Sequence, residues 1–134
     1  MELSEHIKTG KTREEEFLVE DQNAAIHVGS GSSPVLATPW MIAFMERVSH
    51  RLLAEHLSPG QTSVGIYLEI KHLAPTPVGS TVQVKTRIIA VEGNSVSFNV
   101  ETWDQVEKVG EGTHRRAVID EARFLRRVEN KRLS

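Results

Sequence analysis

Three side chains in this sequence sit where the local pattern could put a reactive polar group to chemical use. Glu46 follows Trp40-Met41-Ile42-Ala43-Phe44-Met45, six consecutive apolar residues. A helical segment that is apolar all round is buried on most sides, so a carboxylate at its end borders a water-poor region and suits the role of a base. Its structural alternative is to open a solvated face together with Arg47. His72 continues the alternation of Val64, Ile66, Leu68 and Ile70, and that register turns its imidazole inward. The structural alternative is a core histidine hydrogen-bonded to backbone. Thr38, directly before Pro39, is placed as the N-cap of a helix with proline at its first position. A helix N-terminus also offers free N–H groups and a positive dipole to a developing oxyanion, so a hydroxyl there is well placed to touch a reacting carbonyl.

The elements that position these groups follow from periodicity. Met41, Phe44, Met45, Val48 and Leu52 form a helical stripe, predicting a helix from Pro39 to Leu57, about 28 Å long at ~1.5 Å per residue. Ser58-Pro59-Gly60 stops it. Upstream, Glu16 to Glu20 reads as a short strand, with Ala24 to Val28 extending or restarting it. Gly29-Ser30-Gly31-Ser32-Ser33-Pro34 is a loop. Downstream the pattern alternates in four runs: Val64 to Ile70, Val82 to Ala90, Val96 to Val100, and about Val109 to Asp120. Turns fall at Glu92-Gly93-Asn94 and Asp104-Gln105. Glu121 to Val128 closes the chain as a short helix or a last strand.

Short turns force antiparallel neighbours, and one long helix must bury its stripe on the resulting sheet. The expected architecture is α+β: a long central helix wrapped by a curved antiparallel sheet of about five strands, the hotdog layout. It forms one domain over residues 1–134, with residues 1–12 as a flexible N-terminal tail. A sheet covered by a single helix keeps an exposed edge, which a homodimer joined edge to edge removes. The lean composition, 39% apolar and 5% aromatic, also suits a chain that buries part of its surface against another.

Composition narrows the function. A net charge of -2 argues against a dedicated nucleic-acid binder. The absence of cysteine removes disulfides, a thiolate nucleophile and cysteine-ligated metal, and fits a cytoplasmic location. The polar first twelve residues hold no secretory signal, and the charged helix is unsuited to a membrane. The histidines show no metal-ligand spacing, and no Gly-rich phosphate loop is present. No metal and no cofactor is expected. His114-Arg115-Arg116 and Arg123 to Arg132 are basic stretches, the latter read as a solvated, salt-bridged surface.

Taken together, Ala37 to Glu46 (ATPWMIAFME) resembles the helix start of the fluoroacetyl-CoA thioesterase-like hotdog proteins. Thr62-Ser63-Val64-Gly65, His72 to Gly79 (HLAPTPVG) and Gly112 to Val118 (GTHRRAV) resemble its later signatures, in order and spacing, from about Val35 to Lys131. The resemblance implies that Thr38, Glu46 and His72 form the catalytic set, that Gly65 lies in the active-site strand and supplies a backbone donor, and that Arg116 belongs to the substrate pocket or its entrance. It implies an acyl-CoA substrate. The fluoroacetyl-specific member closes its pocket with aromatic residues on the loop before the helix. Here that loop is Gly29 to Ser33, without an aromatic, which implies a more open pocket and a different acyl group.

A thioester suits such a set, because its thiolate leaving group, with a pKa of ~8.5, needs little acid assistance. Either Thr38 attacks with His72 as base and Glu46 orienting it, or Glu46 or His72 activates water while Thr38 positions the acyl group. Thr38 and Glu46 are eight residues apart, about 12 Å along one helix, so joint contact with one substrate calls for different subunits. The rival activities are a hotdog acyl-CoA hydratase or dehydratase and a non-catalytic acyl-CoA-binding dimer.

Overall fold

The computed structural model describes residues 2–132. Strand β1 (Thr12–Leu18) is followed by a 3-10 turn, Asp21–Asn23, and a single-turn helix α1 (Ala25–Val28). The long helix α2 spans Thr38–Ala54, and strands β2 (Gln61–His72), β3 (Thr81–Glu92), β4 (Ser95–Trp103) and β5 (Lys108–Asp120) follow. Helix α3 (Glu121–Arg132) closes the described chain, which resolves its two expected alternatives in favour of a helix.

The strands form one antiparallel sheet in the order β1-β3-β4-β5-β2, and α2 touches all five of them. The expected stripe is the face that is buried: Met41, Phe44, Met45, Val48 and Leu52 all lie in the core, with Ser49 and Leu53 beside them. They pack on Val82, Val84 and Ile88 of β3, Val96, Phe98 and Val100 of β4, and Val109 and Val118 of β5. Phe17 of β1 stacks on Phe44, ring centroids 4.4 Å apart. The outcome is the hotdog layout, an open sheet curved around one helix.

Five expectations need correction. The N-terminal segment expected as a flexible tail is docked over its described part. Leu3 and Ile7 are buried in the core, and Gly10 and Lys11 exchange backbone hydrogen bonds with Ile88. Two apolar residues in a polar segment are enough to anchor it. Ala24–Val28 does not extend a strand; Ala25–Val28 makes one helical turn that ends on Gly29 at φ 84°, a left-handed conformation that glycine adopts freely. Thr38 is not the N-cap: Ala37 takes that place without a side-chain cap, and Thr38 is the first helical residue. The helix also ends at Ala54 rather than Leu57.

The fifth correction concerns β2. Its pairing with β5 shifts between Gly65 and Tyr67, leaving Ile66 as the extra residue of a β-bulge. One inserted residue reverses the facing of everything beyond it. The inner face therefore carries Ser63 and Gly65 before the bulge and Leu68, Ile70 and His72 after it, instead of Val64, Ile66, Leu68 and Ile70 in one row. Strand β2 is also an edge. Ile66, Tyr67 and Leu68 are 53%, 40% and 42% exposed, an apolar run that nothing in a single chain covers.

Candidate active site

Removing the capping role from Thr38 frees its hydroxyl, and the structure gives it another partner. Thr38 Oγ1 lies 2.6 Å from His72 Nδ1. Ala37, just before it, is tied by its N–H to the Asn23 carbonyl, and Leu36 by its N–H to the Thr76 carbonyl, each at 2.8 Å. His72 is held from the other side, since Leu73 donates to the Val109 carbonyl at 2.8 Å. The pair opens into a cleft of ≈ 400 Å³ lined by Leu36, Ala37, Leu73, Ala74 and Ser30. Burial pushes the His72 pKa down, and the Ala74 carbonyl pulls weakly the other way. A neutral imidazole with its proton on Nε2 accepts the threonine hydroxyl at Nδ1, the arrangement of a general base and its nucleophile. Nε2 itself is buried without a protein partner.

Glu46 is elsewhere. Two turns further along α2, its carboxylate faces the bare inner side of Gly65. A Cβ at Gly65 would stand 2.9 Å from Glu46 Oε2, 3.2 Å from His114 Cε1 and 3.6 Å from Arg116 Nη1. Glycine at this position leaves room for three polar side chains to meet against the strand.

Behind Glu46 lies a buried polar network. His114 and Arg116 are 0% and 7% exposed. His114 Nδ1 donates to the Tyr67 carbonyl at 3.0 Å, a carbonyl turned by the bulge, and His114 Nε2 accepts from Arg116 Nη1 at 3.1 Å. Arg116 also donates from Nε to Ser63 Oγ at 2.8 Å and from Nη2 to the Ser63 carbonyl at 3.1 Å. His50, one turn after Glu46 on the same face of α2, reaches Ser63 Oγ at 3.3 Å. Burial weakens the Arg116 guanidinium's hold on its proton, and the Glu46 charge opposes this. The Glu46 carboxylate, at the edge of the network, thus offsets part of the cost of burying the guanidinium.

Within one chain, then, the expected residues form two groups: Thr38 with His72, and Glu46 with Gly65 and Arg116. Three participants escaped the sequence reading: His114, Ser63 and His50. His114 alternates with Arg116 and the inward Val118, and that period of two was the available signal. Ser63 and His50 had none, because only the bulge brings Ser63 to the inner face. Among the described residues no cluster of three or more histidine, cysteine, aspartate or glutamate side chains is arranged to hold a metal.

Two results can be expected from this geometry. Gly65→Ala should lower activity about tenfold or more while leaving the fold nearly intact, since the added methyl displaces the movable end of Glu46 first. Steady-state kinetics beside thermal melting checks this, and full activity would show that the Glu46 position is not critical. The second concerns pH. Burial is the main cause of lowered pKa values at His50, His72 and His114. Below the unfolded-state value of ~6.5 the unfolded chain binds protons that the folded chain does not, so stability is full above that pH and declines as pH falls through and below it. A melting temperature that holds or rises on acidification from pH ~7.5 to ~5.5 would contradict this.

An open antiparallel sheet curved around one long helix defines a class, the hotdog proteins. The family model described as fluoroacetyl-CoA-specific thioesterase matches residues 19–122. The fluoroacetyl-CoA thioesterase of Streptantibioticus cattleyicolor is 33% identical over 96% of this chain and 97% of its own. A crystal structure of a point variant of the fluoroacetyl-CoA-specific thioesterase FlK, in complex with fluoroacetate and CoA, is 34% identical with a TM-score of 0.81, covering 88% of this chain and 99% of that one. A hot-dog-like protein from Thermanaerovibrio acidaminovorans, 24% identical, shares the fold at a TM-score of 0.90 over 98% and 97% of the two chains. The chain belongs to the FlK family of thioesterases.

Proposed function

We propose that this thioesterase hydrolyses a small acyl-CoA to the free acid and CoA, in the cytoplasm, as a homodimer whose active sites are each built from two subunits. The observation that carries the reading is the 2.6 Å contact between Thr38 Oγ1 and His72 Nδ1 in an open cleft. Thr38 Oγ1 attacks the thioester carbonyl while His72 takes its proton. The tetrahedral intermediate expels the CoA thiolate, which needs little acid assistance at a pKa of ~8.5. Water then attacks the acyl-threonine ester, giving the acid and restoring the hydroxyl.

Glu46 serves the second half as the base for that water, contributed by the partner subunit. Its own Thr38 is two helical turns away, about 12 Å in axial rise. Pairing of two β2 edges covers Ile66, Tyr67 and Leu68, which otherwise present an unpaired apolar strand. The loop lining the cleft contributes Ser30 and no aromatic side chain, which favours an acyl group other than fluoroacetyl.

A panel of short acyl-CoAs assayed for free thiol tests this directly. Thiol release with at least one member is expected. Hydration of an enoyl-CoA without thiol release, or acyl-CoA binding without turnover, would replace the hydrolase reading.

A further inference from the structure

Helix α3 is the element whose purpose the fold leaves open. None of its residues is buried. Its first turn is anchored to the end of β5, where Glu121 N–H donates to the Gly60 carbonyl at 3.0 Å and Arg123 N–H to Asp120 Oδ1 at 2.9 Å. Its composition is one-sided: Arg123, Arg126, Arg127, Lys131 and Arg132 against Glu121 and Glu129. Among the described residues only Arg132 is paired, with Glu129 at 2.9 Å. Arg123, Arg127 and Lys131 recur at intervals of four, so they share one face of the helix. The expectation of a salt-bridged surface here is therefore not met. A short helix with four uncompensated cations and no buried residue adds little to folding, and its cations are good ligands for phosphate.

Register tells which phosphate it could meet. Strand β2 pairs with β5 so that Gln61 lies opposite Asp120 and His72 opposite Gly110. Helix α3 thus springs from the Gln61 end of β2, and the catalytic imidazole sits at the other end of the same strand. Antiparallel pairing of two β2 edges about the exposed Ile66-Tyr67-Leu68 run reverses one strand against the other. The Gln61 end of one protomer then comes beside the partner subunit's His72. The root of α3, one strand further in, lies about two strand spacings, ~10 Å, from that imidazole. The helix itself is about 18 Å long. CoA carries its diphosphate and 3′-phosphate at the far end of the pantetheine arm, well away from the thioester.

We infer that α3 is the phosphate-binding element for the active site of the opposite subunit, with Arg123, Arg126, Arg127 and Lys131 receiving the nucleotide end of acyl-CoA. The inference rests on the proposed dimer. Thr38 and His72 recognise the acyl end, and α3 recognises the carrier. The anionic end is gathered by charge from solution, and the association rate depends on salt.

The test compares two thioesters of the same acyl group, one on CoA and one on pantetheine, which lacks the phosphates. In the Arg126→Glu/Arg127→Glu variant KM for the acyl-CoA should rise about tenfold or more, with kcat unchanged and KM for the acyl-pantetheine unmoved. A Gln pair at the same positions should give a smaller rise in the same direction, which separates lost attraction from introduced repulsion. Equal KM changes for both thioesters, or none for either, would overturn the inference. Sedimentation of the same samples separates the two readings. An active monomer removes the dimer and this inference together, whereas a dimer with unchanged acyl-CoA KM removes the inference alone.

Discussion

Replacing His72 by glutamine should lower kcat/KM for thioester hydrolysis about 10³-fold while the protein stays folded. The imidazole is the group closest to the Thr38 hydroxyl, 2.6 Å from Nδ1 to Oγ1. Its lowered pKa keeps it unprotonated, and able to accept that proton, at pH values below the ordinary histidine range. Glutamine can hold a hydrogen bond to threonine but cannot take a proton from it. Stability should change little, because Nε2 has no protein partner to lose and the surrounding anchors are backbone bonds from Leu36, Ala37 and Leu73. The companion variant Thr38→Ala should lose a similar factor and Thr38→Ser much less, since serine keeps the attacking oxygen. Thiol-release kinetics with a melting curve for each variant checks this. A His72→Gln enzyme within tenfold of the parent would mean that the hydroxyl is activated by something else or is not the nucleophile.

Arg116→Leu should be the most destabilising single change in the polar network, by about 3 kcal/mol, the sum of several hydrogen bonds from a buried charged donor. The guanidinium donates to Ser63 Oγ, the Ser63 carbonyl and His114 Nε2. Leucine takes the donor from His114 Nε2 and from the Ser63 carbonyl, leaves Ser63 Oγ with His50 alone, and leaves Glu46 without the cation beside it. For a chain of this length a loss of that size lowers the melting temperature by about 10 °C. Arg116→Lys keeps a charge but not the planar fork that serves three acceptors at once, so it should recover only part of the loss. The readout is denaturant or thermal unfolding of both variants. Melting within about 2 °C of the parent in Arg116→Leu would show that the network is not structurally important.

Much of this was legible in the sequence, and the misses share a cause. Met41, Phe44, Met45, Val48 and Leu52 gave the helix and its buried face because their spacing is set by the helix period alone. Thr38 at the helix start and His72 at the strand end each stood out by position, but only the family resemblance put them, with Glu46, in one set. Strand β2 was harder. Alternation assumes an unbroken period of two, and the bulge at Ile66 interrupts it without a marking proline or turn. Val64 and Ile66 were assigned inward, whereas Ser63 and Gly65 hold that face. That single residue decides where Glu46 finds space and brings Ser63 to the face where it holds Arg116, which is 7% exposed. The N-terminal segment misled for another reason, because Leu3 and Ile7 are too few to form a periodic signal yet enough to close the core over β3.

The central claim is that one active site takes Thr38 and His72 from one subunit and Glu46 from the other, and subunit mixing tests it most directly. Thr38→Ala and Glu46→Gln are each purified as inactive dimers, unfolded together and refolded in equal amounts. If each site draws on both subunits, one site of every mixed dimer regains a full set, and activity returns to about a quarter of the parent by random pairing. If Thr38 and Glu46 serve a site within one chain, every site in the mixture keeps a lesion, and the mixture stays as inactive as its parts.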